Sequence, residues 1–469
     1  MNIIRYNSFR RINLFDNESF FCKNKDINTE NDSGLVVQIR NERYKLSKYN
    51  IIKRFDDKKT VIYNTLYDSI VVLDEEETYL FDEYDSMKCH SKLVYDLFQL
   101  GILISNCEDE TMLMSFQNEE LIYNRRGIPS VTILPTQACN AKCEYCFADH
   151  NKKNIMDNNT IKNLIIFLKD NFKEGDKVLF RWFGGEPLLA VETINNIIDE
   201  VNICFNGNLE FSSLMFTNGS LLDDDIIKTA KNKWKLEKIQ LTLDGYAEEH
   251  NSRKSYNNPN IDYYKKTIID IRKLLDAGIK VDCRINLDKD NIKEIDYICN
   301  DLLQYNTNSL FRPRFTILRP SDCGFNKFNY ITVDDLEWAY DIIYNKLIQY
   351  GFLRNIADLF PHRQRESCIM KSINKVIVAS DGKLYKCLQQ VFDDESAVGE
   401  LVGGIDHRKF MSCCRTQLHD ECRECVYLPV CSGGCDAYWR LSKTENISPC
   451  IREKYFIDML LKMIHDYYE

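Results

Sequence analysis

Three cysteines crowd into one short segment of the chain. Cys139, Cys143 and Cys146 lie in the stretch CNAKCEYC, with gaps of three and then two residues. Disulfides, zinc binding and iron–sulfur chemistry are the candidates for such closely spaced thiols. A structural zinc site prefers two pairs and four ligands, which this segment does not offer. A [4Fe–4S] cubane presents irons at its corners, so three thiolates would leave one iron open to another ligand.

A second cysteine series lies near the C-terminus. Gly382 precedes Cys387 by four intervening residues, and the later members are separated by gaps of two, five and three. Zinc is compatible with the CxxC pair alone, whereas the length of the series favours clusters. Most of the remaining cysteines are isolated and are expected to be ordinary small buried residues. The members of the series are Cys368, Cys387, Cys422, Cys425, Cys431, Cys435 and Cys450.

The composition describes a large, acidic, globular chain. Its 469 residues are 44% hydrophobic and 28% charged, which predicts two or three domains. A net charge of -10 argues against non-specific binding to nucleic acid. We find neither a signal peptide nor an apolar run of the roughly 20 residues that span a bilayer, so we expect a cytoplasmic protein without membrane contact. Cytoplasmic thiols stay reduced, so the 19 cysteines indicate metal or redox chemistry.

The cysteine loop must be positioned by the elements around it. Between residues 130 and 350, strand-like apolar runs alternate six times with segments of helical periodicity, which predicts an α/β fold with a partial, open (β/α)6 barrel. The cysteine loop directly follows the first predicted strand, 130–136. In such sheets the chemistry lies at the C-terminal ends of the strands, where this loop begins.

The N-terminal part of the chain has a different pattern. Residues 49–77 alternate apolar and polar positions around a charged turn at Asp56–Lys59, which predicts a β-hairpin. Residues 91–105 indicate a short helix that runs into a strand. We therefore predict three domains: a small α+β, winged-helix-like unit over 1–115, the barrel over 116–352 and a cysteine-rich domain over 353–469.

The CxxxCxxC pattern with Tyr145 before the last cysteine resembles the signature of the radical S-adenosylmethionine (SAM) enzymes. The resemblance implies a [4Fe–4S] cluster whose open iron chelates SAM, and whose reduction releases a 5′-deoxyadenosyl radical that abstracts hydrogen from a substrate. It also implies that Tyr145 and Phe147 lie against the cofactor. The stretch WFGGEPLL is similar to the family's methionine-binding motif, with Gly184, Gly185, Glu186 and Pro187 at the end of the second strand.

Three later strand ends supply further candidate contacts to SAM. Asn218 lies in FTNGS, and the segment QLTLDGYAEEHNSR resembles one in the family's cysteine-rich branch. The resemblance makes Thr242 and Arg253 candidate partners of the cofactor carboxylate. Arg284 ends the fifth strand and is a weaker candidate, while His250 is expected to make a structural hydrogen bond. The sequence identifies no catalytic acid or base.

The C-terminal cysteines resemble the SPASM extension of radical SAM enzymes, which holds two auxiliary [4Fe–4S] clusters. The resemblance assigns Cys422, Cys425, Cys431 and Cys450 to an outer cluster. It assigns three others, Cys368, Cys387 and Cys435, to an inner cluster that lacks a fourth ligand. A substrate thiolate, the adjacent pair Cys413 and Cys414, or His362 are the alternatives for that position.

SPASM enzymes largely modify peptides, and residues 1–115 weakly resemble the leader-binding element of ribosomal peptide maturases. The resemblance implies a precursor peptide with a leader as substrate, a reductant such as flavodoxin or ferredoxin, and formation of a cysteine thioether. One alternative is oxidation of Cys or Ser to formylglycine, as in anaerobic sulfatase maturation. The long N-terminal unit and the missing upstream cysteine argue against it. The other is a non-catalytic iron–sulfur electron carrier, which would need no methionine site.

Overall fold

A computed structural model describes nine stretches of the chain. These are residues 1–5, 44–83, 92–123, 127–148, 153–319, 329–364, 366–414, 418–443 and 447–468. Much of the predicted N-terminal unit, 6–43 and 84–91, lies outside the described residues. Within the described part, no helix has the length and apolar character needed to cross a bilayer.

The N-terminal region contains a small antiparallel sheet with the strand order β1–β5–β4–β3, and a separate pair formed by β2 and β6. The predicted hairpin is confirmed as β3 and β4, and the predicted helix and strand within 91–105 are confirmed as α2 and β6. Helix α3 crosses the predicted boundary at residue 115. In chain order the elements are β1 (Asn2–Arg5), β2 (Tyr44–Leu46), β3 (Asn50–Arg54), β4 (Thr60–Asn64), β5 (Ser69–Leu73), α1 (Glu75–Asp82), α2 (Lys92–Gln99), β6 (Leu103–Ser105) and α3 (Glu110–Tyr123).

The middle of the chain forms the predicted open barrel. Six parallel strands lie in the order β12–β11–β10–β9–β8–β7, and helices connect them. Local signals act as expected: Asp157 caps α4 by accepting from the Thr160 amide at 2.7 Å, and Gly278 follows α8 with φ +70°. The elements are β7 (Ser130–Thr136), α4 (Asn158–Asn171), β8 (Lys177–Gly184), α5 (Val191–Cys204), β9 (Glu210–Thr217), α6 (Asp224–Asn232), β10 (Leu236–Leu243), α7 (Ala247–Lys254), α8 (Tyr263–Asp276), β11 (Lys280–Leu287), α9 (Ile295–Leu302), β12 (Phe311–Ile317) and α10 (Leu336–Gln349).

The two faces of the barrel sheet differ in chemistry. Val281, Cys283 and Ile285 of β11 pack into the main hydrophobic core between sheet and helices. Because successive side chains of a strand point to opposite faces, Arg284 and Asn286 point into the open barrel. Arg284 and Asn286 are therefore on the inner face of the sheet, where they can contact a ligand.

The C-terminal region extends the same sheet. The predicted hairpin within 376–387 forms, as β13 and β14, but β13 also pairs in parallel with β7, so the sheet has ten strands. All seven residues of β7 are buried, and a buried strand needs hydrogen-bonding partners on both sides. The elements are β13 (Lys375–Val378), β14 (Lys383–Tyr385), β15 (Gly399–Glu400), β16 (Gly404–Ile405), α11 (His407–Cys414), α12 (Asp420–Arg423), α13 (Leu428–Cys431), α14 (Asp436–Leu441) and α15 (Ile457–Tyr467).

Side chains rather than strand pairing join the N-terminal sheet to the C-terminal region. Arg5 donates to three backbone carbonyls within 357–361 and forms an ion pair with buried Asp68. The Tyr63 hydroxyl donates to the Pro361 carbonyl at 2.7 Å. Helix α15 also packs against β4. Arg5 therefore satisfies several acceptors that would otherwise lose their hydrogen bonds.

Replacing Arg5 should loosen this junction. We expect Arg5→Ala to lower the free energy of local opening around residues 353–364 by about 3 kcal/mol, since it removes one partner of a buried ion pair. Amide hydrogen exchange over that segment measures the change. Arg54→Ala is the matched control, because its pair with Asp82 is half-exposed and should contribute less than about 1 kcal/mol. Equal effects of the two variants would contradict this role of Arg5.

Candidate functional site

The three-cysteine loop follows β7 and is fastened to the end of α7. The Lys142 amide donates to the Lys254 carbonyl at 2.9 Å, and the Asn257 amide donates to the Asn140 carbonyl at 3.0 Å. These two backbone hydrogen bonds connect the loop, at Asn140 and Lys142, to the end of α7 and the residues that follow it. They restrict the movement of the loop. The loop is therefore preformed at the C-terminal ends of the strands, as the sequence predicted.

The thiols of this loop lie in apolar surroundings. Ala141 and the rings of Tyr256 and Tyr263, with centroids 4.0 Å apart, form a small cluster against which Cys139 and Cys143 pack. Burial raises the pKa of Cys139 to about 11 and that of Cys143 to about 12. The protein alone therefore keeps these thiols protonated, and a bound cation must stabilise their thiolates. Three close cysteines that need a cation fit the donor set of an iron–sulfur cluster.

The Gly184–Pro187 stretch lies directly against the loop. The Gly185 amide donates to the Thr136 carbonyl at 3.2 Å, and the Glu186 amide donates to the Ala138 carbonyl at 2.8 Å. A Cβ atom on Gly185 would lie 2.2 Å from the Ala138 carbonyl oxygen, so only glycine allows this approach. The predicted closeness of this stretch to the cysteine loop is thus present in the structure.

The Glu186 side chain is buried, and it connects the ends of two strands. Its carboxylate is 0% exposed and accepts from the Thr217 hydroxyl at 2.6 Å, the Asn218 amide at 2.8 Å and the Leu188 amide at 3.0 Å. These bonds tie the end of β8 to the end of β9. Glu186 therefore positions the strand ends with its side chain, and only its backbone faces the loop.

Asn218 brings the end of β9 to the cysteine loop. Its amide nitrogen lies 2.9 Å from the Asn140 side-chain oxygen and 3.9 Å from the Cys139 sulfur. Asn140 in turn donates to the Ser220 hydroxyl at 2.8 Å. The predicted placement of Asn218 beside the site agrees with these contacts.

A buried lysine forms the polar centre of the site. Lys254, at the end of α7, is only 2% exposed. Its ammonium lies 2.7 Å from the Thr242 hydroxyl, 3.1 Å from the Tyr145 hydroxyl and 3.1 Å from the Asp244 carboxylate. The Tyr145 hydroxyl also donates to Asp244 at 2.6 Å. Predicted residues Tyr145 and Thr242 thus converge on a cation that the sequence analysis did not identify.

The charges of this centre stabilise one another. Burial opposes the ionisation of Lys254, but Asp244, the nearest charge, raises the pKa of the lysine well above its usual value. Burial likewise opposes the ionisation of Asp244, yet Lys254 and hydrogen bonds lower its pKa. Both groups are therefore charged at neutral pH.

Arg253 does not face the cysteine loop. Its guanidinium binds Asp288 through two nitrogens, at 2.6 Å and 3.0 Å, and forms a further ion pair with Glu249. Consecutive helical residues point in directions about 100° apart, so Arg253 and Lys254 cannot both face the loop. The structure corrects the prediction for Arg253: the cation beside Thr242 is Lys254.

His250 and Arg284 are placed around the same centre. The His250 ring accepts from the Asp244 amide at 3.2 Å, and burial lowers its pKa to about 3, so the ring is neutral, as expected of a structural hydrogen bond. Asn286 donates to Asp244 at 2.7 Å, and Arg284 donates to Asn286 at 2.8 Å. Arg284 therefore reaches the centre only through Asn286.

Phe147 lies on an aromatic wall. Its ring is parallel to that of Phe183 within 7°, with centroids 6.3 Å apart, and meets Phe392 edge-on at 6.4 Å. Phe183 in turn contacts Phe216 edge-on at 5.5 Å. These half-buried rings form a continuous set of aromatic contacts beside the cysteine loop.

The four cysteines assigned to the outer cluster line one cavity. Cys422, Cys425, Cys431 and Cys450 together line one small pocket. Burial raises the pKa of Cys422 to about 11, and the other three thiols add to that rise because they lie close by. Four thiols around one cavity fit a cluster with one cysteine per iron.

The three cysteines assigned to the inner cluster are also neighbours. Burial raises the pKa of Cys387 to about 11, and Cys368 and Cys435 are close enough to raise it further. Of the alternatives for the fourth ligand, His362 binds Asp68 at 3.1 Å. Cys413 and Cys414 end α11, where the Cys414 sulfur lies 3.9 Å from the Met370 carbonyl oxygen.

The cysteines are not arranged around a single ion. Among the described residues, no three His, Cys, Asp or Glu side chains converge as ligands of one metal. In a cubane each cysteine binds a different corner, so its ligands surround a volume instead of meeting at a point. The cavity beside the outer cysteines has that form.

Comparison with known proteins identifies the central domain. Residues 133–302 match the Radical SAM superfamily, and this range contains the cysteine loop and the Gly184–Pro187 stretch. This part of the chain is a radical SAM domain. The chain is therefore an enzyme, and its cysteine loop is the expected position of the [4Fe–4S] cluster and of SAM.

Two relatives are similar to this chain over most of their own length. The radical SAM cyclopropyl synthase TigE of Paramaledivibacter caminithermalis is 24% identical over 86% of this chain and 84% of its own. The cysteine-type anaerobic sulfatase-maturating enzyme of Clostridium perfringens strain 13 is 25% identical over 65% of this chain and 88% of its own. A solved structure of anSMEcpe with bound AdoMet and the Cp18Cys peptide has a TM-score of 0.56 at 18% identity. It covers 72% of this chain and 100% of that chain and shares the fold.

No pattern in the sequence indicates that Lys254 and Asp244 form the polar centre beside the cysteine loop. Asp244 lies within the segment QLTLDGYAEEHNSR, but that segment does not show its partner. Lys254 directly follows Arg253, and only the observed helical phase shows which of the two side chains points inward. An arginine offers paired donors to a carboxylate, which made Arg253 the natural choice from sequence.

Replacing Lys254 should weaken SAM binding. We expect Lys254→Met to raise the Kd for SAM roughly 10- to 100-fold, the equivalent of one charged hydrogen bond. Equilibrium binding of SAM to the cluster-loaded enzyme measures the change. The neighbouring variant Arg253→Met removes the Asp288 pair and is expected to reduce stability while changing the Kd little. If Arg253→Met weakened SAM binding as much as Lys254→Met, the assignment of Lys254 would be wrong.

Proposed function

We propose that this radical SAM enzyme is a peptide maturase that joins a cysteine sulfur of a ribosomal precursor peptide to a carbon in thioether linkage. The observation that carries the proposal is the grouping of the C-terminal cysteines. Four of them line one pocket, and three are neighbours around Cys387, which follows β14 of the sheet that leads into the cysteine loop. Auxiliary clusters at these positions suit an oxidative modification, because they can accept the electrons that the peptide must lose.

The residues around the cysteine loop suit SAM. Cys139, Cys143 and Cys146 would hold the cluster, and the backbone of Gly184–Pro187 would receive the methionine amine. Lys254 stays protonated beside Thr242 and suits the methionine carboxylate. When bound and reduced, SAM and the cluster supply a 5′-deoxyadenosyl radical. The aromatic wall with Phe147 lies beside the cysteine loop.

In this proposal the peptide gives up two hydrogen atoms for each thioether. A carbon-bound hydrogen leaves as an atom to the deoxyadenosyl radical, the thiol proton goes to solvent, and the remaining electron goes to an auxiliary cluster. A reductant such as flavodoxin or ferredoxin supplies the electron that cleaves SAM. The C–H and S–H bonds break and one C–S bond forms, so atoms and electrons balance.

The inner cysteine group offers two ways to complete its ligand set. Cys413, near the end of α11, would give four protein ligands. Alternatively, the substrate thiol occupies the fourth position, where metal binding would deprotonate and orient it. A substrate-ligated inner cluster would explain why a cysteine peptide is the preferred substrate.

The N-terminal unit is the proposed site for the leader. Strand β3 lies at one edge of the four-stranded sheet, and an extended peptide can pair with an exposed edge strand. Through Arg5 and Tyr63 this sheet contacts the 357–361 segment, which leads toward the SPASM region. A captured leader would therefore hold the rest of the peptide near the barrel.

Iron counting tests the cluster assignment. Three cubanes correspond to about 12 iron atoms per chain, so Cys431→Ala, at the outer cavity, should leave about eight. Cys204→Ala is the matched control, because Cys204 ends α5 apart from either group and should leave the iron content unchanged. Iron analysis with Mössbauer spectroscopy measures both. An unchanged iron content in Cys431→Ala would refute the outer cluster.

Mass spectrometry of a co-expressed cysteine-containing precursor peptide tests the reaction. We expect a loss of two hydrogen atoms per modified cysteine, blocked thiols, and 5′-deoxyadenosine formed alongside. A peptide without its leader should be modified less efficiently. The similarity to a sulfatase-maturating enzyme keeps formylglycine as a second candidate, and it predicts an aldehyde that reacts with hydrazides. An unmodified peptide with no 5′-deoxyadenosine would refute both reactions.

A further inference from the structure

A long groove follows the free edge of β12. It has a volume of about 610 Å³ and is walled by β12, α10, the 352–362 segment and residues 452–453. Within the described part of the chain, β12 is the last strand on its side of the sheet. An edge strand next to a groove of this size is accessible to an extended chain.

The backbone of β12 offers hydrogen bonds to the groove. The carbonyl of Leu310 and the amide of Leu318 bind β11, both at 2.8 Å. Backbone groups alternate in direction along a strand, so Phe315, in the odd-numbered set, directs its amide and carbonyl away from β11. Pro313, in the same set, has no amide hydrogen, and the Ile317 carbonyl already accepts from Arg452. Phe315 therefore supplies the backbone groups with which an added strand would pair.

The groove is basic although the whole chain is acidic. Four arginines line it, against two carboxylates, in a chain whose net charge is -10. In the described part of the chain, neither carboxylate forms an ion pair, and of the four arginines only Arg314 has an acidic partner, Asp282 at 3.6 Å. Arg312, Arg314, Arg354 and Arg452 are the arginines, and Asp358 and Glu453 are the carboxylates.

The positive charge continues to the SAM site. Arg314 is paired in register with Arg284 of the neighbouring strand, whose guanidinium binds Asn286 and, among the described residues, no carboxylate. Burial lowers the pKa of Arg284, and the nearby Arg452 and Arg314 lower it further, since like charges destabilise one another. Arg319 follows β12 and lies over the ring of Tyr438 at 5.0 Å. Of these cations, Arg314 has the partner Asp282 at 3.6 Å, whereas Arg284 and Arg319 form no ion pair within the described part of the chain.

An anion from outside the chain would offset this charge. Carboxylates are the natural partners of guanidinium groups, through paired hydrogen bonds. On a strand added beside β12, side chains on the face shared with Arg312 and Arg314 become their cross-strand neighbours. Alternating acidic side chains on an extended peptide therefore match both the spacing and the charge of the groove.

We propose that this groove binds an acidic segment of the substrate peptide as an added strand along β12, with Asp or Glu side chains paired to Arg312, Arg314 and Arg354. The inference rests on the proposed peptide-maturase function and specifies its substrate class. The bound segment would direct the reacting residue toward Arg284 and the SAM site. A purely structural use of the arginines, as countercharges of the clusters, is the competing explanation.

Fluorescence anisotropy with two labelled ten-residue peptides tests the groove. One peptide carries Glu at alternate positions and the other carries Gln. We expect the Glu peptide to bind the cluster-loaded enzyme at least about tenfold more tightly, and Arg314→Glu to remove that preference. Arg272→Glu, on the outer helix α8, is the matched control and should retain it. A peptide with Lys at the alternate positions should bind Arg314→Glu better than the unmodified enzyme.

The outcomes separate this inference from the proposed function. Equal binding of the Glu and Gln peptides, or an unchanged preference in Arg314→Glu, would overturn the groove assignment even if a peptide is modified. Loss of iron in Arg314→Glu would also overturn it, since the arginine would then serve a cluster. If the Glu peptide binds as expected but no precursor is modified, the groove stands and the maturase proposal fails.

Discussion

The ion pair between Lys254 and Asp244 is the constraint on which the SAM site depends. Removing an ion from water costs several kcal/mol, and this cost is offset only while the partners keep good geometry. Lys254 ends α7, Asp244 follows β10, and Tyr145 belongs to the cysteine loop, so one pair fixes three segments. If any of them moved away, a buried charge would lose its partner. The site is therefore rigid before a cofactor arrives, which suits a reaction that must direct a radical.

A second buried charge holds the opposite side of the loop. Glu186 has three hydrogen-bond donors around its carboxylate, and it lies close enough to Cys139 to raise the pKa of that thiol. Lys254 has the opposite effect on Cys139 and Cys143, but burial outweighs it. The protein thus fixes the position of the thiols without ionising them, and cluster binding must release their protons.

Structural features that depend on residues close together in the sequence can be predicted from it, whereas features that depend on contacts between distant segments cannot. The six strands and the helices that connect them follow local periodicity, but no pattern predicts α7, the helix that carries Lys254. The grouping of the C-terminal cysteines is expected from the family resemblance, and the structure brings the thiols of each group close together. Side-chain direction is harder to predict, because Arg253 and Lys254 are neighbours with opposite surroundings. Pairing between distant segments, such as β13 with β7, leaves no local signal at all.

The pairing of β13 with β7 also sets the geometry between the two kinds of cysteine site. Strand β7 leads into the cysteine loop, and the β13–β14 hairpin leads into Cys387 of the inner group. Neighbouring strands are held about 4.8 Å apart by their hydrogen bonds, so the two cysteine sites are linked through adjacent strands of one sheet. The N-terminal unit is attached through side chains. Arg5 and Tyr63 bind the 357–361 segment, and the buried side chains of β4 and β5 belong to the same hydrophobic core as the barrel. These contacts hold the N-terminal sheet against the part of the chain that contains the cysteine sites.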